Sequence, residues 1–338
     1  MMKTRFWFFA AAMLTMFGSL MLGTGALAQT YKWDLPESYS PTTISGMAVG
    51  DFAKMVNERS GGRIAIKVHY NGSLGISEKD LLNSVEQGVI TLSSTMLDKT
   101  LGVLPIAGVQ SMPFMTGNLN DVRAMTKALR PQLDIELAKI NQIYLFEAFA
   151  TPVGIWAKKP VDSIEALKSI KLRTNNPNST KTFQSAGATP TFLAWSDVMP
   201  AMTTGLIDAV LTSDESGISS RFYDQLKHFT RLNLEIGIWM IHMNKGTFDK
   251  LPPDLKKIVL DSANEAGKKA FDRVVGRLQE NAKTLKANGV TSTEVVPPAF
   301  HQHLLNSGAF LLEDWKKRVG PEVAGKILTG FEQAKKNN

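Results

Sequence analysis

The chain has 338 residues, 43% of them apolar, and a net charge of +7 from 38 basic against 31 acidic side chains. It contains no cysteine, which excludes disulfides, thiol nucleophiles, iron–sulfur clusters and Cys-ligated zinc. The positive charges are scattered, with no basic block interleaved with aromatics, so no nucleic-acid partner is expected.

Taken in chain order, the first element is a leader. Lys3 and Arg5 precede a largely apolar run from Phe6 to Leu22, and Ala26-Leu27-Ala28 carries the small-x-small pattern that signal peptidase reads. Residues 1–28 are therefore expected to be a signal peptide cleaved after Ala28. That leaves a periplasmic chain of 338 − 28 = 310 residues and a charge of +7 − 2 = +5. No later apolar run approaches the roughly 20 residues a membrane helix needs. The mature length suits two lobes of ordinary domain size.

Strand and helix signals then alternate. Tyr31 to Leu35 reads as a strand, and Thr43 to Arg59 as a helix with Met47, Phe52, Met55 and Val56 at helical spacing, stopped by Gly61-Gly62. Arg63 to Tyr70 alternates as a strand and turns at Asn71-Gly72. Ser77 is placed to cap a helix carrying Leu81, Leu82 and Val85 and closed by Gly88; Val89 to Ser94 follows as a strand. Val122 to Lys139 is helical and Ile143 to Phe149 extended. Asp162 and Glu165 read as a capping box for a short helix, Ile170 to Thr174 as a strand ending in Arg173, and Asn178 to Ala186 as a helix closed by Gly187. Thr189 to Leu193 is a short strand, Ser196 to Thr204 a helix closed by Gly205, and Leu206 to Thr212 an apolar strand. Pro252 to Ala287 is one long amphipathic helix ending at Asn288-Gly289. The fold expected is α/β in two lobes: 29–150 with part of 240–338, and 151–239. With no Ser/Gly tether between them, the lobes should be joined by crossing strands.

From about Lys32 to Gln333 the sequence resembles the solute receptors of tripartite ATP-independent periplasmic (TRAP) transporters, the DctP family. The stretch from Phe52 to Ile64, FAKMVNERSGGRI, resembles the family's first helix and second strand. The most specific segment runs from Lys159 to Arg173, KPVDSIEALKSIKLR, and continues into Gly187-Ala188-Thr189-Pro190 and Trp195-Ser196-Asp197-Val198. The resemblance implies a periplasmic binding protein-like fold of two lobes, backed by the 252–287 helix, in a receptor that captures a small organic acid in the inter-lobe cleft and delivers it to the membrane permease subunits of a TRAP transporter.

The resemblance also implies the contacts. Arg173 ends a strand, where open α/β sheets place ligands, and its planar fork matches a carboxylate. From position alone a solvated arginine is the simpler reading; the family segment assigns it the substrate carboxylate. Trp195 stands where the family has an aromatic against the ligand's carbon skeleton. Thr212 and Ser213 replace a family Asn, while Asp214 reads as a cap or a solvated loop residue. Ser94, Thr95 and Met96 align with the contributing strand end of the other lobe, and Phe149 is placed near the cleft beside Trp156. Some relatives carry a Glu near Met96 and a second Arg about twenty residues before the first, where this chain has Val153. These absences favour a monocarboxylate with an apolar or aromatic body. Two alternatives stay open: the receptor of an ABC-type importer and a periplasmic enzyme. No G-x-S-x-G, H-E-x-x-H or phosphate-binding glycine loop is present, and nothing completes a site around His301 and His303, so neither metal nor cofactor is expected.

Overall fold

The computed structural model describes residues 30–168 and 170–336; the expected leader, 1–28, lies outside them. β1 (Tyr31–Pro36) and β2 (Ile64–His69) pair in parallel around the crossover helix α1 (Ile44–Arg59). Thr43 caps α1 by accepting from the Gly46 amide, and Ile44, Val49, Phe52 and Val56 face the core. Gly61 and Gly62 then supply the positive φ that ends it.

Two expectations shift here. Ser77 makes no capping bond, because the chain enters α2 (Leu81–Glu86) through a 3-10 turn in which the Asp80 amide bonds the Ser77 carbonyl. The next strand, β3 (Leu92–Met96), begins three residues later than expected. Gly88 takes positive φ, and the Val89 and Ile90 amides still bond back to the Ser84 carbonyl, so the backbone cannot extend before Leu92.

α3 (Leu119–Lys139), capped by Asn118, leads into β4 (Gln142–Ala157). This strand runs far beyond the expected Phe149. Thr151-Pro152-Val153-Gly154 reads as a break, yet the sheet absorbs it by a register shift between Phe149 and Pro152. Then follow α4 (Ile164–Lys168), β5 (Lys171–Thr174), α5 (Pro177–Ser185), β6 (Thr189–Phe192), α6 (Trp195–Thr203), β7 (Ala209–Ser213) and α7 (Asp214–Ser219). α4 is capped by Ser163, which accepts from the Ala166 amide; Asp162 instead accepts from the Thr293 hydroxyl, so the expected Asp162–Glu165 box does not form. β8 (His228–Thr230), β9 (Ile236–Asn244), α8 (Lys245–Asp249), α9 (Pro253–Ala287) and β10 (Thr291–Thr293) precede three closing helices, α10 (Pro298–Gly308), α11 (Phe310–Val319) and α12 (Pro321–Lys336).

The large sheet runs β10-β8-β4-β7-β5-β6, with β9 pairing β4 and β3 to the side. β4 belongs to both halves. Its first part, from Gln142, pairs β9; its second, Val153–Ala157, pairs β7, and Ile155–Ala157 pairs β8. It passes residue 150, where the lobe boundary is expected, without interruption. Alternation divides the second half into two cores: Val153, Ile155, Leu172 and Leu211 face α5 and α10, whereas Trp156 and Val210 face α6 and Phe222. The first half is one core built on α1, α3 and α9, which α11 and α12 complete. Among the described residues no helix is long and apolar enough to cross a membrane.

Candidate functional site

Arg173 is fully buried, at 1% exposure, and among the described residues it is in no ion pair. Its position follows from the strand period. Leu172 goes into the core on one face of β5, so Arg173 must go to the other, beside α6. Nε and Nη2 both donate to the Leu193 carbonyl, at 3.1 and 2.8 Å, and Nη1 donates to the Leu211 carbonyl at 3.2 Å. A guanidinium has five N–H groups, so 5 − 3 leaves two, one on each terminal nitrogen. Burial lowers its pKa, and the charges of Tyr39, Glu78 and Asp98 oppose that shift. A guanidinium stays charged even so. The arrangement is a desolvated cation with a free pair of donors.

Arg173 borders a small cavity of about 20 Å³, room for about one water molecule. Its walls are largely apolar: Met96, Ala150 and Val153, with Tyr39 and Trp239 as the aromatic faces. Polar groups come from Asn175, Thr212, Ser213 and Ser216. The Ser213 hydroxyl is committed, because it caps α7 by accepting from the Ser216 amide at 3.1 Å. Trp195 stacks on Tyr39 at 5.0 Å between centroids, lies 5.7 Å from the Arg173 guanidinium carbon, and lines a second, outer cavity.

The strand β3 splits the three residues expected from it. Met96 lines the inner cavity, and its sulfur receives the Tyr39 hydroxyl at 3.3 Å. Ser94, on the same face, donates to Glu37 at 2.7 Å. Thr95 points the other way and bonds His242 at 2.8 Å, so it does not join the group. Phe149 does not join it either. It packs edge-on against Phe271 of α9 at 5.9 Å and borders a separate cavity of about 630 Å³ with Arg123 and Lys268. The residue expected at a cleft is on the helix-backed side, because successive strand residues face opposite ways and Ala150 takes the cavity side.

Four groups escape the sequence reading. Tyr39 and Trp239 come from segments with no motif. Glu37 is fully buried and accepts from the Tyr39 amide and Ser94; burial pushes it up to about 7. Glu235 is buried beside Asp98, and both accept from the amides of Asn175 and Asn176; burial, then Asp98, push Glu235 up to about 8. The available signal was position: Glu37 and Tyr39 follow β1 and Asn175 follows β5, both at carboxyl ends of parallel strands. Asp214 is no solvated loop residue. It is fully buried and accepts from Thr151 at 2.5 Å, Asn281 at 2.8 Å and Arg231 at 3.1 Å.

Two α/β halves joined by continuous strands, with a buried unpaired arginine on a small cavity at strand ends, define a solute-binding protein. Residues 36–306 match the sequence pattern of bacterial extracellular solute-binding proteins, family 7 (DctP), and the chain belongs to that family. It is a TRAP-type periplasmic solute-binding protein, a receptor and not an enzyme, so the enzyme and ABC-type alternatives fall away. A solute-binding protein of Verminephrobacter eiseniae is 27% identical over 273 residues, 78% of this chain and 79% of that one. The Bordetella pertussis extracytoplasmic solute receptor that binds pyroglutamic acid is 26% identical, with a TM-score of 0.85 over 90% of this chain and all of that one. The Ralstonia eutropha TRAP solute-binding protein holding (S)-2-acetolactate is 23% identical, with a TM-score of 0.83 over 89% and 99%.

Proposed function

We propose that this receptor captures a small monocarboxylate of compact, largely apolar body and hands it to the permease subunits of a TRAP transporter. One observation carries the reading: a buried guanidinium with two free donors, in no ion pair, borders a cavity whose other walls are mostly apolar. Burying an unpaired charge is expensive, and a ligand carboxylate accepting both donors offsets that. Val153 lines the cavity where some relatives carry a second arginine, so a second anionic group would meet no cation there. That similar receptors hold pyroglutamic acid and 2-acetolactate, each with one carboxylate, supports the size and charge. Arg173 is the anchor; Tyr39, Trp239, Met96 and Val153 enclose the body, and Thr212 supplies a hydroxyl. Trp195 shapes the wall through its stack on Tyr39.

The two lobes, 29–150 with part of 240–338 and 151–239, close by bending where β4 shifts register, backed by the 252–287 helix. The protein acts in the periplasm after cleavage following Ala28. A thermal-shift screen of organic acids tests the ligand class. Compact monocarboxylates should raise the melting temperature, since a ligand that binds only the folded state stabilises it by mass action. Stabilisation by neutral sugars and by no carboxylate would end the proposal.

A further inference from the structure

Glu78 stands half-buried in the 3-10 turn between β2 and α2. Its carboxylate accepts from the Trp195 amide at 3.4 Å. Trp195 is the first residue of α6, and Ala194 before it has no side chain able to satisfy the first-turn amides. A helix of one half thus takes its cap from a loop of the other half, and the positive end of that helix favours a carboxylate there. This contact holds the Glu78 charge in place.

The place matters because two cavities flank one ring stack. The outer one, about 400 Å³, is bordered by Ser38, Glu78 and Trp195. The inner one is bordered by Tyr39 and Arg173. The stacked Tyr39 and Trp195 rings belong one to each, so they form the partition, with Glu78 on its outer side. The Glu78 charge is felt through that partition, at Tyr39, Arg173 and Glu37 alike. At the opposite side the carboxyls of Asp98 and Glu235 stand behind Asn175. Lys99, the other buried cation nearby, is already held by Asp98 and the Asn175 carbonyl. Glu78 and Asp98 thus both lie within range of the Arg173 charge, and the nearby cation Lys99 is already paired.

The geometry points to Glu78 as a specificity determinant that turns away acids carrying a second anionic group. Repulsion between like charges at the mouth is strong where water is partly excluded. The assignment rests on Arg173 being the carboxylate anchor, so the test separates the two. Succinate and succinamate have the same length and differ by one charge. Calorimetric titration of the wild-type mature chain should show succinamate bound at least tenfold more tightly. In Glu78→Gln, whose amide oxygen still accepts from Trp195, that preference should shrink about tenfold while the melting temperature is kept. An unchanged preference overturns the role of Glu78 and leaves Arg173 untouched. A wild-type chain that prefers succinate overturns the role of Glu78 and the monocarboxylate reading together, and succinamate binding kept by Arg173→Ala overturns the anchor. Lys79→Gln, which changes the charge of the same loop, should leave the preference as it is. An equal and opposite change there assigns the effect to loop charge at large, and the proposal falls.

Discussion

At the residue scale, Arg173 illustrates why a charge is buried at all. Three of its donors go to backbone carbonyls that fix the plane of the fork, and among the described residues the remaining two have no acceptor. Arg173→Ala should lower affinity for the bound acid at least a hundredfold with little loss of folding, measured by calorimetry beside a denaturant melt. Arg173→Lys should still lose tenfold or more, because an ammonium is a point charge that cannot satisfy both the Leu193 carbonyl and a carboxylate with a planar fork. Near-wild-type binding by the lysine variant would mean that charge alone recognises the ligand. The role of Arg173 was readable because a strand end and a long family segment coincide on it. Tyr39, Trp239 and Glu37 were not readable, because each becomes a neighbour of the cavity only through contacts between distant segments.

At the element scale, the turn from β7 into α7 gathers the molecule. Asp214 accepts from β4 through Thr151, from α9 through Asn281 and from Arg231; Glu215 accepts from the Ile44 amide at the start of α1 and from Arg277 of α9. Two adjacent acids thus tie four elements, where the sequence offered only a cap or a solvated loop. Asp214→Ala strips Arg231 of a buried partner and should cost about 3–5 kcal/mol, the penalty for breaking a buried pair, read as a shift in the urea midpoint. A loss under about 1 kcal/mol, typical of exposed pairs, would show that solvent replaces the carboxylate. Gly217 in α7 tells the same story of close approach. A Cβ there would run into the indole of Trp156, which is fully buried and donates to the Ser213 carbonyl. Gly217→Ala should destabilise although alanine favours helices, because a packed core has no room to yield; a gain in stability would contradict the packing.

At the scale of the whole molecule, buried acids couple folding to pH. Burial raises Glu37 and Glu215 to about 7 and Glu235 to about 8. These folded values lie above those of an unfolded chain, so the native state holds protons that the unfolded state releases near pH ~4.5. Their contribution to stability is complete below that pH and is lost as pH rises through 7 to 8. The melting temperature of the ligand-free protein should therefore fall between pH 5 and 8.5. Glu235→Gln should flatten the upper part of the fall, since burial and the facing Asp98 outweigh the hydrogen bonds from Asn175 and Asn176 and the charge of Lys99. Stability that rises over this range would exclude neutral carboxyls at these positions.

What the sequence determined by itself is what repeats locally: the alternation of helix and strand, the long helix from Pro253 to Ala287, and the strand that carries Arg173. Periods of 3.6 and 2 residues, together with glycines that take positive φ at helix ends, need only neighbours along the chain. Tertiary structure alone decided that β4 runs through both halves, that Phe149 turns toward α9 while Met96 turns toward Arg173, and that Asp214 is buried. Each depends on pairing register and on burial between segments more than fifty residues apart, where a single shift reverses every side chain's face. Arg173 was thus legible as a charge at a strand end. That it is a buried cation without a partner, ringed by Tyr39, Trp239 and carboxyl groups, is a property of the folded molecule.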